Sequence, residues 1–201
     1  MTASKKIGSD SAPIDPSPAK VGNTLGAAYA IVALASSSTA VVIPTIRDEF
    51  DLSLATGAWV ITAFVVALAA FAPIYGRIAD IVGPRTPITI GLSLMAVGAI
   101  LSAFAPTVLT LIIARAVVGA GAGAMPVLGP VIIAGRLDEA DQPAALTRMA
   151  GLAATAASGL LIGAVIADLL SWRWVLALPV LVVGLIPVSY THLTLPTTPY
   201  V

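Results

Sequence analysis

Thr86–Ala114 reads TPITIGLSLMAVGAILSAFAPTVLTLIIA, and no side chain in it carries a charge. Arg85 precedes the stretch and Arg115 follows it. A helix needs about 20 apolar residues to cross a hydrocarbon core of roughly 30 Å. The stretch therefore holds one whole crossing, 87–105, and the start of a second, 108–133. Working outward, the same kind of gap separates Lys20 from Arg47, Asp51 from Arg77, Arg115 from Arg136 and Arg148 from Asp168, and another follows Arg173. These gaps predict further spans over 23–45, 57–75, 146–167 and 173–187. The spans are rich in Ala, Leu, Val and Ile with interspersed Gly, which suits packed membrane helices better than barrel strands. In lipid each backbone group must find its partner within the segment, so the expected fold is all-α, an integral membrane bundle of six helices.

Composition agrees. Apolar residues are 58% of the chain and charged residues 10%, with a mean hydropathy of +1.01. A soluble domain carries roughly 25% charge, so this chain has too few charges for a water-facing surface. Ten basic and ten acidic residues cancel, which argues against a basic nucleic-acid face. There is no Cys and only one His, His192, so neither a thiolate nor a His-rich metal site is expected. No cofactor is implied.

Loop charges set the expected orientation. With the amino terminus inside, the cytoplasmic segments hold Lys5, Lys6, Lys20, Arg77, Arg85, Arg136 and Arg148, and the outer ones only Arg47 and Arg173. That bias places the amino terminus in the cytoplasm of a cell-membrane protein. Residues 1–22, with Pro13, Pro16 and Pro18, are expected to be a disordered tail ahead of a transmembrane domain over 23–187. The first apolar run comes too late and runs too long for a cleaved signal. Residues 188–201 resemble the translated read-through of a sequencing adapter, are expected to be non-native, and leave His192 without a role.

Between the second and third spans stands Gly76-Arg77-Ile78-Ala79-Asp80-Ile81-Val82-Gly83-Pro84-Arg85. Gly76 and Gly83 would permit tight turns. Asp80 and Arg85 would put opposite charges at a helix boundary, an ordinary surface pair worth roughly 0–1 kcal/mol if nothing else uses it. The segment resembles the signature loop of the major facilitator superfamily, Gly-x-x-x-Asp-x-x-Gly-x-Arg, with Ile81 and Thr86 where basic residues often stand. The resemblance implies a latch that contacts a carboxy-terminal half, which would be missing from this chain.

The fourth span holds Arg115-Ala116-Val117-Val118-Gly119-Ala120-Gly121-Ala122-Gly123, similar to the family's Arg-x-x-x-Gly-x-Gly motif. An arginine in a span must snorkel, pair or meet water, because near the centre it costs at least about 2.5 kcal/mol. Arg115 lies seven residues inside the predicted outer end and is expected to face a cavity. Gly119 and Gly123, four apart on one face, are expected to let helices approach closely. By resemblance, Arg115 would take part in proton coupling.

Weaker matches point to the drug-exporting branch. Trp172-Arg173-Trp174 resembles its motif outside the fifth span, and physically reads as an interfacial anchor. The antiporter motif of the fifth span survives only as Gly159 and Gly163, two packing glycines without the bending proline. Ala35 and Ala40 stand where that branch carries an acid and an Asn. Ser36, Ser37, Ser38 and Thr39 follow one another around the helix, so at least one should face the interior and line a cavity. No Asp or Glu falls inside a predicted span, so coupling carboxylates would have to come from the missing half.

The resemblance implies half of a major facilitator fold, built of two inverted three-helix repeats. Pro44 to Glu49 and Pro130 to Glu139 end corresponding helices with the same run of charges. The expected function is proton-coupled export of small amphipathic compounds by alternating access, without ATP, since no phosphate-binding loop with Lys occurs. Expected partners are a small-molecule substrate, protons, the lipid bilayer and the missing half. A uniporter or symporter of another solute, or a non-transporting six-helix scaffold, is the alternative. An intramembrane hydrolase would need a constellation that Ser158 alone does not make.

Overall fold

The computed structural model describes residues 17–180, apart from the side chains at 31, 35, 156 and 157. Helix α1 runs Pro18–Glu49, α2 Leu54–Val82, α3 Arg85–Ala103, α4 Val108–Ala122, α5 Ala124–Arg136, α6 Gln142–Ala154 and α7 Gly159–Leu169. A last helix, α8, covers 172–180 of the described residues. Five spans are long and apolar enough to cross a bilayer, with α4 and α5 forming one and α6 and α7 another. The rest of the sixth expected span, the segment 188–201, His192, Lys5 and Lys6 lie outside the described residues.

Several helix ends differ from expectation. α1 begins at Pro18, inside the tail expected to be disordered; the proline sits in the first turn, where its missing N–H costs nothing. The Ser53 side chain accepts from the Thr56 N–H and starts α2 three residues early. At 32 and 29 residues, α1 and α2 are about 48 and 44 Å long at 1.5 Å per residue, more than the hydrocarbon thickness.

The fourth and fifth spans are each interrupted. Gly123 separates α4 from α5, and Pro126 has no N–H with which to close the helical bond to Ala122 across that point. Between α6 and α7 a 3₁₀ turn spans Thr155–Ser158. There the Thr155 hydroxyl donates to the Leu152 carbonyl and the Ser158 hydroxyl to that of Thr155, competing with the regular ladder. Thus the fifth span departs from regular helix without the proline that the resemblance led one to look for.

Packing follows a pattern of exchange. α4 lies against α2 and α3, while α1 lies against α6 and α7. Val42 and Ile46 of α1 cluster with Trp172, Val175 and Leu176 of α8. Exchanging the first span with the fourth, the second with the fifth and the third with the sixth maps these contacts onto one another, as two inverted repeats require. Outward, large apolar side chains stand bare: Phe104 is 81% exposed, Leu161 74% and Leu109 64%. That surface suits lipid and would be an aggregation patch in water.

Candidate functional site

Arg115 is 1% exposed, the largest of the fully buried side chains. Its guanidinium carbon lies 4.8 Å from the centre of the Phe64 ring of α2, and its Nε has no hydrogen-bond partner among the described residues. The ring face supplies an electrostatic attraction of about 0.5–2 kcal/mol, stronger as water is removed. Among the described residues, protein encloses the side chain that was expected to face a cavity. Phe64 was not legible as its partner, because nothing distinguishes it in sequence from Phe71 or Trp59.

Glycines hold that arrangement together. A methyl group on Gly119 would overlap the Phe64 carbonyl, and one on Gly123 would come within 2.8 Å of the Leu68 carbonyl oxygen. The α4 backbone therefore touches the α2 backbone, one turn below Arg115, as the four-residue spacing predicts. On the other side of the bundle, Gly159 faces Ser37 and Leu34, and a methyl on Gly163 would lie 2.7 Å from the Ser38 Cβ.

The hydroxyl run is thereby placed. Ser38 and Thr39 are fully buried, while the Ser36 and Ser37 hydroxyls donate to the Val32 and Leu34 carbonyls of their own helix. Ser37 and Ser38 belong to the α1–α7 seam, and none of the four lines either groove. The Ala35 side chain lies outside the described residues.

The signature segment is not a loop. Gly76 through Val82 continue α2 for two more turns, and only Gly83 and Pro84 separate it from α3. Gly76 is helical and a methyl there would make an ordinary 3.5 Å contact with Val127, so its expected turn role is corrected. Gly83 does turn the chain, at φ 79° and ψ 166°, a region open in practice to glycine alone. Asp80 and Arg85 are both exposed, and no ion pair joins them among the described residues. Asp80 stands near the carboxy end of α2 rather than at an amino end, so the helix dipole opposes its charge.

At the opposite end, Glu49 joins α1 to α8. Its carboxylate meets the Arg173 guanidinium at 2.9 Å and accepts from the Trp172 indole N–H. These two bonds, Arg173's foremost, hold the Glu49 carboxyl below its ordinary range against the smaller effect of burial. Arg173 also stacks on Trp172 at 4.3 Å, and Phe50 meets that ring edge-on at 6.1 Å. Trp172 is 2% exposed and Trp174 57%, so only Trp174 fits the expected interfacial anchor. Trp172 is core.

The model of the Major Facilitator Superfamily matches residues 25–200, a range that takes in all but the last residue of the segment 188–201. The chain belongs to the major facilitator superfamily. It is 31% identical over 153 residues to the uncharacterized MFS-type transporter EfpA of Mycobacterium tuberculosis, covering 75% of this chain and 28% of that protein. It is 32% identical over 151 residues to the efflux pump dotC of Dothistroma septosporum, covering 75% of this chain and 26% of the pump. Against multidrug resistance protein 3 of Bacillus subtilis it is 34% identical over 124 residues, or 59% of this chain and 23% of that protein. The matched part is thus about a quarter of each relative. This superfamily member is a multi-pass membrane protein of a transporter family.

Proposed function

We propose that this chain is the amino-terminal half of a secondary transporter that exports small amphipathic compounds in exchange for protons, by alternating access. The observation that carries the reading is Arg115, a full charge enclosed within a span, over Phe64 and beside a backbone-to-backbone helix contact. Enclosing a charge is costly unless its position is used. The efflux pump dotC among the relatives supports export. Asp80 and Arg85, exposed beyond the α2–α3 turn, are free to contact the other half, and Gly83 keeps that turn short. In the full-length protein, reconstituted in vesicles with an imposed pH gradient, a fluorescent amphipathic dye should move against its concentration gradient. Asp80→Asn should slow that movement severalfold while insertion is unchanged. Dye movement indifferent to the gradient would remove proton coupling, and parental rates in the variant would return the segment to a simple turn.

The amino terminus lies in the cytoplasm of the cell membrane in this reading, on the strength of the Lys and Arg asymmetry. Reporter domains fused after Lys20 and at Asp141 should both report the cytoplasm. An external signal from either inverts the topology.

A further inference from the structure

We propose that Phe64 is a positioning residue: the face of its ring, rather than a carboxylate of this chain, holds the Arg115 charge in place for coupling. The inference rests on the transporter reading above and deepens it, giving α2 a part in the work of the α4 arginine.

No acid shares a helix with Arg115 or stands on α3 or α5. The acid of α2 is Asp80, about 24 Å beyond Phe64 at 1.5 Å per residue. On α1, Asp48 is exposed and Glu49 is engaged by Arg173. Arg115 enters no ion pair among the described residues, and its Nε donates to nothing there. Phe64 is itself buried, in a cluster with Met95, Ala99 and Val118 that offers a cation nothing. The ring face, 4.8 Å from the guanidinium carbon, is the attraction left to it.

The ring is also fixed in place. Two successive turns of α2, at Phe64 and Leu68, meet two successive turns of α4, at Gly119 and Gly123, so closely that a methyl on either glycine would strike main chain. Arg115 stands one turn before Gly119, so ring and arginine belong to the same braced part of the two helices. α2 and α4 carry them together, and the charge leaves the ring by rotation of its own side chain. A ring suits that duty better than an acid. Its attraction for a cation is modest, whereas a carboxylate touching the guanidinium in a low-dielectric interior would bind far harder. The modest hold keeps the guanidinium aimed and still able to exchange onto a group of full negative charge.

Fluorination tests the ring face while nearly keeping its shape, because each fluorine draws electron density from the face. In the full-length protein, Phe64 is replaced by mono-, di- and trifluorinated phenylalanine, and by cyclohexylalanine, which keeps the bulk without a π face. Dye transport driven by an imposed pH gradient should fall in steps, to about a tenth of the parental rate in the trifluoro and cyclohexyl proteins. Melting temperature in detergent should fall in the same order, and that trend should vanish with Arg115→Met. Fluorine makes a ring more apolar, so packing alone predicts level or rising melting temperatures. Level transport across the series in a protein that transports, or melting that ignores fluorine while Arg115 is present, overturns the positioning role. A parent that shows the melting trend but no pH-driven transport keeps the ring's hold on Arg115 and defeats the transporter reading.

Discussion

Arg115→Ala should bring substrate movement in the full-length protein down to the background of empty vesicles, a loss on the order of 100-fold, with membrane insertion unchanged. The guanidinium is enclosed at 1% exposure, and its position over Phe64 is held by backbone contacts that do not depend on the charge. Removing it leaves a hole next to the ring and takes away the one charge in the interior of the described spans. The loss corresponds to about 2.7 kcal/mol at 1.36 kcal/mol per factor of ten, comparable to the cost of placing such a charge in a span. Arg115→Lys keeps the charge over the ring but loses the planar five-donor fork, and should retain roughly a tenth of the parental rate. Vesicles with an imposed pH gradient give the measurement. Parental transport by Arg115→Ala would leave the buried charge without a role in coupling.

Gly119→Ala should be the most destabilising single methyl in the bundle. Its Cβ would overlap the Phe64 carbonyl, carbon and Cα, and backbone cannot rotate aside as a flexible side chain can. Overpacking of this kind costs about 1–3 kcal/mol; here the separation of α4 from α2 would also disturb the Arg115–Phe64 contact. Gly151→Ala is the matched control, because a methyl there meets nothing within 4 Å and alanine favours helix by roughly 0.5–1 kcal/mol. Thermal unfolding in detergent should therefore move in opposite directions for the two variants. If Gly119→Ala melts with or above the parent, the close approach of α2 and α4 is wrong.

The spans were legible because charge is costly in hydrocarbon, and five of the six gaps read as spans are crossings among the described residues. Their ends were not. Gly76 to Val82 looked like a loop because Arg77 and Asp80 end the apolar run, but a helix has no reason to stop where the lipid does. The same reasoning hid Asp168, which α7 carries one residue past the end of the expected span. Gly119, Gly123, Gly159 and Gly163 were readable as packing residues from their spacing; what they would touch was not, since Phe64, Leu68, Leu34 and Ser38 lie in distant spans. Trp172 and Trp174 are two apart and look alike in sequence, yet one turns inward to Glu49 and the other outward.

α2 outruns the bilayer by about 14 Å, or roughly nine residues at 1.5 Å each, and the overshoot includes Asp80. Charges standing in water beyond the membrane are screened over a Debye length of about 8 Å at physiological ionic strength. Any hold that Asp80 exerts on a partner surface is thus weak, fast to release and open to the salt around it. Arg115, sheathed by two helices, is shielded from that influence. The two charges answer to different media: one to the electrolyte bathing the membrane, the other to the protein alone.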